Sequence, residues 1–67
     1  MIALLTGTLR QKAPEGLVVD VVGVGYKVVV STQTFNRLPP TGSVVSLFIH
    51  TAVREDDISL FGFLEEQ

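Results

Sequence analysis

From Ser43 to Arg54 the chain reads SVVSLFIHTAVR, with Val45, Leu47, Ile49, Thr51 and Val53 at every second position. A period of two belongs to an extended strand, whose side chains alternate between two faces; a helix would repeat its apolar residues about every 3.6. The alternation breaks at Glu55, Asp56 and Asp57 and resumes in ISLFGFL, where Ile58, Leu60, Gly62 and Leu64 share one face. Two strands joined by a hairpin with its tip at Arg54 to Asp57 are the direct reading.

The rest of the chain repeats this logic. Residues 2–10 (IALLTGTLR) place Ile2, Leu4, Thr6 and Thr8 on one face and Ala3, Leu5, Gly7 and Leu9 on the other, which predicts a strand kinked or bulged at Gly7. Pro14, Glu15 and Gly16 give Gln11 to Gly16 the composition of a turn. LVVDVV then sets Leu17, Val19 and Val21 opposite Asp20 as a second strand. Gly23-Val24-Gly25 separates it from a third, YKVVVS, in a hairpin. Thr32 to Leu38, with Phe35 and Leu38 three apart, a cap at Ser31 or Thr32 and a stop at Pro39-Pro40, predicts a helix of one or two turns.

Three strands, a short helix and two strands, in 67 residues, leave no room for a second layer of helices. The order is that of an all-β, five-stranded OB-fold Greek-key barrel whose helix between strands 3 and 4 caps one end of the core, a task for Phe35 and Leu38. An SH3-like barrel is the rival, and it usually lacks that helix. Apolar residues make up 46% of the chain and charged residues 18%. A domain this small cannot hide so much apolar surface, so a patch covered by another subunit or domain is expected. The absence of cysteine points away from disulfide-stapled secreted domains and towards an intracellular, cytoplasmic setting. No apolar run is long enough to span a membrane, and Ile2 leads straight into a strand rather than a signal peptide. The end, Leu64-Glu65-Glu66-Gln67, reads as the start of a linker, which makes residues 1–67 one domain at the front of something longer.

Catalytic chemistry has no foothold. His50 is the single histidine, no carboxylates flank it at ligand spacing, and no serine or threonine has a base to activate it. No metal or cofactor is expected on the chain. Gly23-Val24-Gly25-Tyr26-Lys27 looks like a dinucleotide fingerprint or a helix-hairpin-helix loop, but both need a following helix, and Val28 to Val30 continue as strand. Phe61 and Phe63 lie on the second face of the last strand without basic neighbours, which favours packing over base stacking. With a net charge of −2, gripping phosphates is not the main task. Charge is concentrated at Arg54-Glu55-Asp56-Asp57. Such a tip is either an ordinary solvated turn or a finger whose carboxylates disfavour contact with a regular duplex while tolerating a point where strands diverge.

Taken together, Met1-Ile2, Gly7, Gly23-Val24-Gly25-Tyr26, Leu38-Pro39, and His50 through Arg54-Glu55-Asp56 to Phe61-Gly62-Phe63 resemble, in residue and spacing, the N-terminal domain of the RuvA family, which binds Holliday junctions in recombination and repair. The resemblance covers essentially the whole chain. It implies an OB-fold domain that helps build a homotetramer on four-way junction DNA, with Glu55 and Asp56 as an acidic pin at the crossover. It also implies that Arg54 holds the hairpin or touches a phosphate, and that Asp57 adds to the repulsion or completes the turn. The family's main phosphate contacts lie in a following helix-hairpin-helix domain. Its contact with the ATP-driven RuvB motor lies in a C-terminal domain absent here. Leu4 and Thr6 depart from the pattern, since family members often carry basic residues there. The alternative is a general OB-fold module for protein or single-stranded DNA.

Overall fold

The computed structural model describes residues 2–64; Met1 and residues 65–67, where the linker was expected to begin, lie outside the described residues. Five strands and one helix follow in the order β1 (Leu4–Ala13), β2 (Gly16–Val21), β3 (Val24–Val30), α1 (Thr32–Arg37), β4 (Val44–Val53) and β5 (Ile58–Phe63). The strands close into a barrel in the order β1-β2-β3-β5-β4, with β4 returning to β1. Neighbours are antiparallel except β3 and β5, which run parallel and pair at Val29↔Phe61 and Val30↔Gly62. This is the expected OB-fold barrel, with its helix between β3 and β4.

β1 serves two neighbours. Its first half pairs with β4, from Leu4↔Phe48 to Thr8↔Val44, and its second half pairs with β2, from Thr8↔Asp20 to Ala13↔Gly16. The handover falls at Leu9, whose N–H donates to the Ser43 carbonyl at 2.9 Å and whose carbonyl accepts from Gly42 at 2.7 Å. Two expectations are corrected here. The register shift lies between Leu9 and Gln11 rather than at Gly7, which stays in register with Val45. Gly7 is required for another reason: a Cβ there would run into the backbone carbonyl of Asp20. Likewise, Gln11 to Ala13 are strand, not turn, because their pairing with Val18, Leu17 and Gly16 completes the ladder and leaves Pro14-Glu15 as the turn.

The β2–β3 turn is tighter than Gly23-Val24-Gly25 suggested. Val21 pairs with Val24, so the turn consists of Val22 (φ 51°) and Gly23 (φ 89°), while Gly25 is already in β3. Two consecutive positive φ values match the right-handed twist of a hairpin. Asp20 holds the turn: its Oδ1 accepts from the Gly23 N–H at 2.8 Å and its Oδ2 from Arg10 Nε at 3.0 Å.

Alternate residues of every strand point inward. Leu5, Leu9, Leu17, Val19, Val28, Val45, Leu47, Ile49 and Leu60 fill the barrel, and Leu38 closes one end. Gly62 is small because Val28 and Val30 fill its place: a Cβ there would lie 2.6 Å from Val28 Cγ1 and 3.2 Å from Val30 Cγ1. The helix is capped by Ser31, whose Oγ accepts from the Thr34 N–H at 3.2 Å, and it ends at Leu38 before the prolines. Phe35 packs half-buried against the core beneath Lys12, whose Nζ lies 5.1 Å from the ring centroid and 3.3 Å from the Leu38 carbonyl. On the outside of β1 and β4, Leu4 and Phe48 are paired and exposed, and Val44 is exposed beyond the hydrogen-bonded Thr6 and Ser46 that separate it from them. Among the described residues no helix is long and apolar enough to cross a membrane.

Candidate nucleic-acid interface

The β4–β5 hairpin is longer than the barrel it helps to build. Its pairing runs from Phe48↔Phe63 through Thr51↔Leu60 to Val53↔Ile58, while β1 stops covering β4 near Ile2. There Thr51 Oγ1 accepts from the Ile2 N–H at 3.1 Å and donates to the Ile2 carbonyl at 2.8 Å. Beyond that clasp the hairpin stands free as a finger. Val53 and Ile58, which alternation assigns to the core face, are therefore 72% and 66% exposed. The inward face continues past the end of the core it was patterned for.

At the tip, the Arg54 N–H donates to the Asp57 carbonyl at 2.7 Å, and the Asp57 N–H donates back to Arg54 at 3.4 Å. This pair makes Glu55 and Asp56 the two central residues of the turn. Neither has a positive φ. No glycine is required at these positions, so both can carry carboxylates. The longer second bond fits a turn whose twist matches the flanking strands less well than the positive-φ turn at Val22-Gly23.

The four charged residues divide in role. Glu55 and Asp56 are exposed, and among the described residues their side chains make no hydrogen bond or ion pair. Asp57 points back along β5, its Oδ2 accepting from Ser59 Oγ at 3.1 Å. Arg54 closes the turn through its backbone, and its guanidinium is exposed and unpaired among the described residues. The tip thus presents two unpartnered carboxylates outward, with a third held back against β5 by Ser59. His50 sits lower on the outer face of β4 opposite Phe61, ring centroids 6.4 Å apart at 36°. Phe61 and Phe63 lie on that same outer face, half-buried.

β5 and β3 diverge below the finger. Pairing between them ends at Val29↔Phe61, so Ile58 to Leu60 have no strand on that side. An open groove of about 180 Å³ results, lined by Lys27 and Val29 of β3 and by Asp57, Ile58, Ser59 and Leu60. Sequence reading missed it, because alternation marks Ile58 and Leu60 alike as interior and gives no sign of where a neighbour departs.

Comparison with known proteins supplies the family. A family model described as the RuvA N terminal domain matches residues 1–62. The chain is 57% identical over 63 residues to the Holliday junction branch migration complex subunit RuvA of Geobacter sulfurreducens, which covers 94% of this chain and 32% of that protein. It is 52% identical over 67 residues to the subunit of the same name from Geobacter sp. strain M21, covering 100% of this chain and 34% of that protein. The RuvA of Acidobacterium capsulatum shows the same 52% identity over the same shares. The chain therefore spans about a third of the length of the relatives it matches. With the barrel, the helix and the acidic hairpin all in the positions the motifs implied, this chain belongs to the RuvA N-terminal domain family.

Proposed function

We propose that this domain is the junction-reading front end of a Holliday junction branch migration subunit, with Glu55 and Asp56 acting as a pin at the crossing point of a four-way DNA junction. The observation that carries the reading is the finger: two unpaired carboxylates on a two-residue turn at the end of a hairpin that outruns its barrel. On a regular duplex this finger meets phosphates on both strands and repels them. At a four-way junction the strands part, and the finger enters the opening without close phosphate contact. Arg54, beside the pin with a guanidinium unpaired among the described residues, touches a phosphate on the rim of that opening.

In this reading the full-length polypeptide forms a homotetramer that gathers four fingers at the centre of one face. The exposed side chains of Leu4, Val44 and Phe48 are available for contacts between subunits. Phosphate grip comes from outside this acidic domain, and movement of the junction comes from a separate ATP-driven motor, RuvB, in the cytoplasm. The domain itself is not catalytic and holds no cofactor.

The test compares binding of the full-length polypeptide carrying this domain to a synthetic four-way junction and to linear duplex of equal length at fixed salt, with and without Glu55→Gln/Asp56→Asn. Repulsion between a carboxylate and a phosphate about 7 Å apart in water corresponds to roughly a threefold change in affinity per pair before screening. The variant should bind duplex several-fold more tightly and prefer the junction less. Duplex affinity that does not move would remove the pin from the account.

A further inference from the structure

We infer that the groove between β3 and the root of the finger is a seat for a single unpaired nucleotide at the crossing point, its base on the aliphatic floor and its phosphate on Lys27. The inference rests on the junction reading above and extends it from repulsion at the tip to attraction at the base. Three observations converge on the site.

The first is its shape. β3 and β5 pair at only two positions, and below Val29↔Phe61 they part, leaving an open cleft between Val29 on one wall and Ile58 and Leu60 on the other. Of these, Ile58 and Val29 are exposed while Leu60 belongs to the core, and such an aliphatic rim at the mouth of a barrel suits the apolar face of a base better than a phosphate or sugar. The second is charge. Lys27 stands on the rim with its stem over Gly16, its Cε 3.2 Å from where a Cβ of Gly16 would lie. Among the described residues its ammonium has no partner. A cation on one side and an apolar floor on the other match the two ends of a nucleotide.

The third is continuity with the pin. Asp57 and Ile58 belong to both the groove and the finger. Whatever strand the carboxylates of Glu55 and Asp56 turn aside is delivered to this cleft. Asp57, already accepting from Ser59, faces the cleft from the finger side and disfavours a phosphate there. That orients the nucleotide with its phosphate towards Lys27. Each step of branch migration must break one base pair before another forms, so a base at the crossing spends time unpaired and unstacked. A site that holds it lowers the cost of that step.

The experiment places 2-aminopurine, whose emission rises when it unstacks, at the crossing point of a synthetic four-way junction and titrates it with the full-length polypeptide carrying this domain. Wild type, Ile58→Ser and Lys27→Gln are compared, with junction and duplex affinities measured alongside. No aromatic side chain lines the groove to quench the probe, so binding should raise emission. Ile58→Ser should cut the rise by about half or more, because its aliphatic platform is lost. Lys27→Gln should do the same and lower the salt dependence of junction binding by about one phosphate contact, a slope change near 0.9.

Junction preference retained with emission unchanged in both variants would overturn the seat and leave the pin standing. No junction preference in wild type would overturn both. If Ile58→Ser changed only the oligomeric state, the groove would be a protein contact and the nucleotide assignment wrong. Circular dichroism confirms that the variants fold, and Val29→Ser offers a second route into the same wall.

Discussion

Val22 is the residue whose replacement should stabilise this domain. Its φ of 51° lies in the left-handed region, which costs an L-residue about 1–2 kcal/mol and is least tolerable for a β-branched side chain. Its side chain is 99% exposed, so nothing is lost from the core when it is removed. Asparagine tolerates this backbone and, before Gly23, gives the Asn-Gly pair that hairpin turns with two positive φ values favour. Val22→Asn should therefore gain about 1 kcal/mol, and in a domain of this size each kcal/mol moves the melting temperature by about 4–8 °C. Val22→Gly relieves the same strain but adds about 0.4–1 kcal/mol of freedom to the unfolded chain, so it should fall between asparagine and valine. Thermal unfolding by circular dichroism at one fixed protein concentration ranks the three, because any self-association makes the midpoint concentration-dependent. A melting temperature for Val22→Asn at or below that of the parent would refute the strain argument. The turn would then owe its shape to something other than local backbone preference.

The same hairpin predicts a pH dependence. The Asp20 carboxylate accepts the Gly23 N–H and pairs with Arg10, which together hold its pKa below the ordinary 3.8. A folded-state value below the unfolded one means that the contribution is complete above about pH 4 and is lost as pH falls through the depressed value. Acid titration of stability should therefore show a shallower loss below pH 4 in Asp20→Asn than in the parent, and parallel curves would count against it. On β4, Leu47 is 0% exposed and Val44, three residues before it, is 70% exposed. Leu47→Ala should cost about 2–5 kcal/mol and Val44→Ala within about 0.5 kcal/mol, as read by urea unfolding of the 67-residue chain; comparable losses would mean that the barrel interior is assigned wrongly.

Much of this architecture was legible because period-two alternation reports one thing well, which side of a strand faces a core. That rule grouped Val45, Leu47 and Ile49 on one face of their strand and Leu17 and Val19 on one face of theirs, and all five are buried. The rule reports less well where a strand owes its existence to its partner. Gln11, Lys12 and Ala13 carry no alternating pattern of their own and become strand only because Val18, Leu17 and Gly16 lie alongside. It is silent on where a barrel ends, so Val53 and Ile58 were read as interior although they stand on the exposed finger. Gly7 invited a kink because glycine so often marks one, whereas its real constraint is the approach of a carbonyl from a residue thirteen positions away. The carboxylates of Glu55 and Asp56 were visible as a charge cluster. Their outward, unpaired presentation depends on the backbone bonds between Arg54 and Asp57, which only the fold displays.

The two-position contact between β3 and β5 also governs how the barrel opens. Every other seam is a ladder of five or more paired residues, whereas this one joins Val29 and Val30 to Phe61 and Gly62 across half the chain. Its closure must wait for the last strand, and its rupture breaks the fewest paired positions, so of the five seams this is the one expected to open first. In native-state hydrogen exchange the amides that bridge β3 and β5 should exchange through small fluctuations, while those between β1 and β2 exchange only with global unfolding. A barrel with one weak stave can part there and reclose without giving up its core.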